Sequence, residues 1–365
     1  MADTIDTSSA PISIPHPAGW EGKALLARKD WKIRFSDDEC AEFMTAVEAC
    51  GQHGQTPEAC AGITPVLPNL AGKMKQIQSS LEHGSGVTII EGLPVEHLLN
   101  TSAVEHNRVI DQIKQVFAGV CSYLGTTLSQ SAAGDKVFSV RNEGYADDDA
   151  RARGPNTSKR LSFHTDRCDV IAFLCLRQAA SGGENQVVSS IAVYNRMMHE
   201  RPDLVACLMQ PYYYKRHNVD TANTQPWCRQ PIFSFTDGFF AASLLRVLIE
   251  RAYAMPALPD MTDLQREALD ELESIAERES MHVSFTQSPG DVLLLNNWVT
   301  LHRRTAFVDD PDPMQRRHIL RAWLSMPNSR PIHPLFLDNY GATEAGAIRG
   351  GMIAAGNDAV HHEKS

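Results

Sequence analysis

Phe163-His164-Thr165-Asp166 places an imidazole and a carboxylate two residues apart. In extended backbone, side chains at that spacing leave the same face, so His164 and Asp166 can reach one ion together. A third ligand has to come from elsewhere. Leu295-Asn296-Asn297-Trp298-Val299-Thr300-Leu301-His302 supplies one, just after an apolar run introduced by the turn Ser288-Pro289-Gly290-Asp291. Two imidazoles and one carboxylate take one face of an iron(II) ion and leave three positions open, enough for a bidentate oxoacid and dioxygen. A structural zinc site would close its shell, usually with cysteines. An H-x-D pair alone is weak evidence in a chain with 14 histidines, so the residues downstream of His302 carry weight.

His302 is followed by Arg303-Arg304-Thr305-Ala306-Phe307, an acidic turn containing proline, and then Gln315-Arg316-Arg317-His318-Ile319-Leu320-Arg321-Ala322-Trp323-Leu324. A guanidinium on a strand close to the iron would pair bidentately with the distal carboxylate of 2-oxoglutarate, which a lysine could meet only as a point charge. Arg317 and Arg321 are four residues apart and face the same side of one strand.

In this order the motifs resemble the taurine dioxygenase-like family of iron(II)/2-oxoglutarate oxygenases, which includes the clavaminate synthase-like enzymes, over about Gly86 to Gly351. Ser162-Phe-His164-Thr-Asp166 matches the first iron motif, and Asn296-Asn297 leading to His302 matches the second. Gln315-Arg-Arg317 followed by Arg321 matches the cosubstrate strand. The resemblance implies that His164, Asp166 and His302 hold Fe(II) and that Arg317 holds 2-oxoglutarate. Gly182-Gly183-Glu184-Asn185 matches a turn after which the family commonly places Thr or Ser against the cosubstrate. Asn185 departs from that pattern, although its amide can still donate a hydrogen bond.

The implied fold is a double-stranded β-helix, a jelly-roll core with helices outside. The implied reaction consumes 2-oxoglutarate and O2, releases succinate and carbon dioxide, and oxidises an unactivated C–H bond. Hydroxylation is the default, while desaturation, ring closure and epoxidation use the same site. The presence of Asp166 disfavours halogenation, for which the family uses a small residue there. The expected substrate is a small molecule, with amino acids and natural-product intermediates within the family's range. Candidates to meet it are Arg141, Arg153, Arg160, Arg167, Arg321, Tyr145 and Tyr212-Tyr213-Tyr214. Arg321 lies where the taurine enzyme meets its substrate's anionic group; the alternative is a partner for the cosubstrate or for a neighbouring carboxylate. Arg167 either faces substrate or pairs with Asp169. The tyrosines read chiefly as packing.

The elements that must position these residues are mostly short strands. Gly86–Gly92, Val137–Val140, Val170–Leu176, Gln186–Ser190, Ile232–Phe235, His282–Phe285, Asp291–Leu295 and His318–Leu324 are rich in β-branched and aromatic residues and bounded by turns. Helices are expected from the capped start Ser36-Asp37-Asp38-Glu39, over Leu70–Leu81, over about Thr101–Leu124, and after the capping box Thr262-x-x-Gln265.

The chain has 365 residues, 43% of them hydrophobic, which allows one catalytic domain over 21–349 with an N-terminal helical elaboration. Residues 1–20 and 350–365 read as mobile tails. Asp147 to Lys159 reads as a solvated loop, with an active-site lid as the alternative. A net charge of -10 argues against a nucleic-acid surface. No apolar run approaches the roughly 20 residues of a membrane span, and no secretory signal is read at the start. A cytoplasmic protein with reduced cysteines is expected, and a homo-oligomer is compatible with the sequence. Two rivals use the same trio: a metal-dependent hydrolase or isomerase, and a non-catalytic binding protein. The hydrolase or isomerase leaves Arg317 and Arg321 unexplained, and the intact trio together with the arginine argues against the binding protein.

Overall fold

A computed structural model describes residues 5, 7, 10–52, 67–131, 133–145, 154–217, 220, 223 and 225–352. Arg153, residues 147–152 of the loop reading and the end from 353 onward lie outside the described residues.

The larger sheet has seven strands. In spatial order they are Lys32–Arg34, Val87–Glu91, Val292–Asn296, Val170–Arg177, His318–Ser325 and Thr126–Leu128, with Val137–Val140 also paired to His318–Ser325. The first pair is parallel and the others are antiparallel. The central strands are nearly continuous apolar runs because both of their faces are covered. Val170, Ala172 and Leu174, with Leu320, Ala322 and Leu324, pack against Ile77, Ile113 and Phe117 of the helices Pro68–His83 and Ala103–Ser122. The alternate residues Ile171, Leu293, Leu295 and Trp323 turn the other way and meet Val187 and Val283.

Val187 and Val283 belong to the smaller antiparallel sheet of His282–Phe285, Asn185–Ser189 and Thr300–Arg304. Its opposite face, through Val188 and Leu301, packs on the helices Ser190–Glu200, Pro202–Leu208 and Asp263–Glu277. Two sheets enclosing an apolar layer, with helices outside, make the expected jelly roll. Each fully buried aliphatic or aromatic side chain in these layers contributes about 1.5–3 kcal/mol.

Both sequence-read helix caps form. The Ser36 amide donates to Glu39 Oε2 at 2.7 Å and the Glu39 amide to Ser36 Oγ at 3.2 Å; Thr262 and Gln265 make the same reciprocal pair. The helices Ser190–Glu200, Pro202–Leu208 and Arg246–Tyr253 and the hairpin of Tyr212–Lys215 with Trp227–Gln230 were not read from the sequence. In that hairpin Tyr212 and Tyr214 are buried, the Tyr214 hydroxyl donating to Ser243 O at 2.8 Å.

The tail reading of 1–20 fails for its second half. Ile14 exchanges hydrogen bonds with the Asn195 side chain at 2.8 and 3.1 Å, Ala18 is buried, and the buried Trp20 indole donates to Ser85 O at 2.8 Å. A Ser/Pro-rich segment has no periodicity of its own, but it can bond to a helix that folds elsewhere. Gly350 and Met352 are likewise fixed, their amides donating to Tyr340 O at 2.8 Å and Ser129 O at 2.9 Å.

Candidate metal centre and cosubstrate pocket

His164 and His302 sit on adjacent backbones joined by a two-way bridge, each amide donating to the other's carbonyl at 3.0 Å. Their ring centroids are 4.5 Å apart. With Asp166 they present one ligand atom each, all within 4.8 Å of one another. His302 Nε2 lies 3.7 Å from Asp166 Oδ2; two ligands bound at right angles about 2 Å from a common ion would be about 3 Å apart, so a small inward adjustment closes the site. The His164 Nδ1 contact to Ser162 O at 2.9 Å fixes the tautomer that leaves Nε2 free to bind. Burial drives the His302 pKa down to about 3, which keeps the ring neutral and its lone pair available.

Asp166 Oδ2 is buried without a hydrogen-bond partner. Such an orphan is costly unless a cation occupies the space it faces. Burial alone would raise the Asp166 pKa; Arg321 and the two imidazoles outweigh it and hold the value below the ordinary carboxylate range. Arg321 Nη1 is 3.5 Å from Asp166 Oδ2. Gln130 fixes this arginine, its Oε1 accepting from Arg321 Nε at 2.7 Å and its Nε2 donating to Arg321 O at 3.0 Å.

The asparagines before His302 brace the site. Asn297 Oδ1 accepts from the Asp166 amide at 3.2 Å, while its Nδ2 donates to Cys168 Sγ at 3.0 Å. Asn296 donates to Leu81 O and Glu82 Oε2, both at 3.0 Å, and accepts from the Trp298 amide at 2.9 Å. Asp169 is bound by the Trp298 indole at 2.8 Å, the Met326 amide at 2.8 Å and Arg349 Nε at 2.7 Å. The Asp166-bearing turn is therefore tied to the His302 turn and to the C-terminal segment.

Arg317, 6% exposed, has its Nη1 without a partner, and no carboxylate among the described residues forms a salt bridge with it. Burial lowers its pKa to about 10. It lies 5.2 Å from the Phe307 ring centroid, and Arg304 lies 4.5 Å from the same centroid. Arg304 Nη2 donates to the carbonyls of Thr157 at 2.9 Å and Lys159 at 2.8 Å. The Gly182-Gly183 turn adopts φ of 72° and 79°, which glycine tolerates without strain. A Cβ on Gly182 would lie 2.2 Å from Ala306 O, and one on Gly183 would lie 3.3 Å from Arg317 Nε. The two glycines let the turn close onto the arginine.

His164, Asp166, His302, Asn185, Arg317, Arg321 and Arg167 line one cavity of about 630 Å³. Asn185 donates to Gln287 Oε1 at 3.1 Å. Arg167 does not pair with Asp169: it meets Asp220 at 2.7 Å and Asn339 Oδ1 at 3.0 Å, because Arg349 and Trp298 occupy Asp169. Arg141 is a correction, since it lines a separate cavity and pairs with Glu143 at 2.8 Å. Arg160 also points elsewhere, to Glu277 at 2.5 Å. Sequence reasoning missed Gln130, Arg304 and Asp169–Arg349. Only Arg304 had a signal, its nearness to His302.

This site combines a three-ligand face, an orphaned carboxylate oxygen and an unpaired guanidinium, which fits iron(II) plus a dicarboxylate oxoacid. A family model described as "Taurine catabolism dioxygenase TauD, TfdA family" matches residues 55–323. FR-33289 synthase from Streptomyces rubellomurinus is 29% identical over 85% of this chain and 90% of its own length. The taurine hydroxylase-like protein SAT17 from Stachybotrys chartarum is 26% identical over 83% of this chain and 77% of its own. An asparagine oxygenase structure with Fe(II), 3-hydroxyasparagine and succinate superimposes at a TM-score of 0.60 and 16% identity, covering 81% of this chain and 93% of that one. The non-haem iron oxygenase OrfP with Fe and alpha-ketoglutaric acid gives 0.60 and 15%, covering 80% and 94%. At these identities the structural likenesses establish the fold. The chain belongs to the TauD/TfdA family and is an iron(II)/2-oxoglutarate-dependent oxygenase.

Proposed function

We propose that His164, Asp166 and His302 hold the iron, that Arg317 anchors the distal carboxylate of 2-oxoglutarate, and that the enzyme hydroxylates a small zwitterionic substrate of amino-acid type. The supporting observation is a pair of buried atoms in one cavity without hydrogen-bond partners, Asp166 Oδ2 and Arg317 Nη1. Bound iron(II), together with 2-oxoglutarate and dioxygen, supplies the oxidant, with succinate and carbon dioxide as by-products. The protein's part is placement. Arg321 keeps Asp166 ionised, Arg317 fixes the cosubstrate's far end, and Phe173, edge-on to His302 with ring centroids 5.6 Å apart, helps keep that side apolar.

Arg167 and Arg216 share the buried Asp220, at 2.7 and 3.9 Å, and both arginines line the cavity. Arg216 is also held by Asp338 and Gln225 O, so the cationic group this wall offers to a substrate carboxylate is Arg167. The solved relatives that contain hydroxyasparagine or hydroxy-L-Arg favour the same substrate class. A hydrolase would need a general base beside the metal. Among the described residues the lining carboxylates other than Asp166 are Glu250 and Glu273, and both are engaged by Arg246, at 2.8 and 2.7 Å.

The test is the anaerobic absorption spectrum with iron(II), before and after 2-oxoglutarate, followed by succinate release with a panel of amino acids. A visible charge-transfer band and substrate-stimulated succinate are expected. Bound iron without a band would overturn the cosubstrate assignment, and a band without amino-acid stimulation would overturn the substrate class.

A further inference from the structure

A second cavity, of about 320 Å³, shares Arg317 with the first. The helix Ala103–Ser122, the ends of the strands Val137–Val140 and Val170–Arg177, and the turn leading into His318–Ser325 form its walls. Among the described residues its cationic lining is Arg141, Arg177, Arg316 and Arg317, with the imidazoles of His106 and His318 beside them, against the one carboxylate of Glu143, which already pairs with Arg141 at 2.8 Å.

Four of these side chains carry buried polar nitrogens without a partner: His106 Nδ1, Arg177 Nε, Arg317 Nη1 and His318 Nε2. His318 is 8% exposed. A buried polar group left unpaired costs about 1–3 kcal/mol, and gathering like charges in one recess adds to that cost. The crowding is visible on His318, which burial and then Arg141, Lys114, His106 and Arg317 hold down to about 3. Arg177 Nη1 is braced by Gln315 Oε1 at 2.7 Å, which leaves the rest of its fork for another acceptor.

We propose that this cavity is a binding site for a small oxyanion, of the tetrahedral or the carboxylate type, held by Arg177 and His318 with Arg141 and Arg316 beside them. Anion binding at this site does not depend on the proposed catalytic residues, and its coupling to 2-oxoglutarate rests on the proposed role of Arg317. Because Arg317 borders both cavities, an anion here draws on the guanidinium that faces the cosubstrate and adds a like charge near it. Occupancy therefore weakens 2-oxoglutarate binding, and by linkage 2-oxoglutarate weakens the anion's binding to the same extent.

The experiment is calorimetric titration of the iron-loaded protein with sulfate and with malonate under anaerobic conditions, first without 2-oxoglutarate and then at saturating 2-oxoglutarate, which keeps malonate out of the first cavity, with chloride matching the ionic strength. Saturable one-site binding of at least one anion is expected, weakened tenfold or more by Arg177→Gln and by His318→Gln. Arg141→Gln, at an exposed position, should weaken it severalfold without threatening the fold. Sulfate without malonate assigns the tetrahedral class, and malonate without sulfate the carboxylate class. In parallel, the 2-oxoglutarate concentration at half-saturation should rise with the bound anion in the wild type and not in Arg177→Gln. No saturable binding of either anion, or binding that all three substitutions leave unchanged, would overturn the proposal.

Discussion

Replacing Arg317 with methionine should do two opposite things. The side chain is 6% exposed, Nη1 has no partner, and burial has lowered its pKa from 12.5 to about 10. A shift of that size corresponds to roughly 3 kcal/mol by which the folded protein disfavours the charged form. The guanidinium stays protonated below about pH 10, so this penalty acts across the working range and would be relieved only as pH rises toward the unfolded value. Without cosubstrate, Arg317→Met should thus stabilise the protein, by about 1–3 kcal/mol once the poorer fit of methionine is included. With cosubstrate, losing one partner of a buried charge pair costs about 2–5 kcal/mol, a weakening of roughly 30-fold to several thousand-fold. Urea unfolding of the metal-free protein and anaerobic titration of the 2-oxoglutarate band measure the two effects. A destabilised variant, or one with wild-type cosubstrate affinity, would refute the reasoning. Arg317→Lys, which keeps the charge and loses the fork, should recover only part of the affinity.

His164→Ala and Asp166→Ala should each abolish tight iron binding, read by anaerobic metal titration, and with it succinate formation. Both His302 and His318 are held to about 3, chiefly by burial, so the unfolded chain takes up protons that the folded chain refuses as pH falls below 6.5. Each should remove about 2 kcal/mol of stability between pH 7 and pH 5, and His318→Gln should halve the combined loss seen in urea unfolding of the metal-free protein. Arg349→Leu leaves the buried Asp169 without its ion-pair partner, which should cost about 3–5 kcal/mol of stability and weaken iron binding through the Asp166 turn; iron affinity unchanged at full occupancy of the fold would show that the brace does not reach the metal.

What was legible in the sequence had a local signature. The H-x-D pair uses the two-residue period of extended chain. The double-faced strands appear as unbroken apolar runs, and both capping boxes lie within four residues. What was illegible lies in distant pairings: Asp169 with Arg349 is separated by 180 positions, and Gln130 with Arg321 by 191. Arg141 carries the charge that a substrate-facing arginine needs, but Glu143, two residues on, pairs with it. For Arg167 the sequence leaves substrate contact and pairing with Asp169 as equal alternatives; a bend after Asp166, with the Cys168 amide on Asp166 O at 2.9 Å, breaks the extended geometry that the Asp169 pairing would need.

The bracing of the two iron motifs also bears on which metal the protein carries. Asn297 ties the Asp166 turn to the His302 turn, so the three donors are set before any ion arrives. A fixed face of two imidazoles and a carboxylate with an open far side does not single out iron. Cobalt, nickel, copper and zinc ions all stand above iron(II) in intrinsic affinity for such donors. Selection between them therefore falls to the supply of metals around the folding chain, and protein folded where zinc or nickel is abundant would carry an inert ion in an intact cradle.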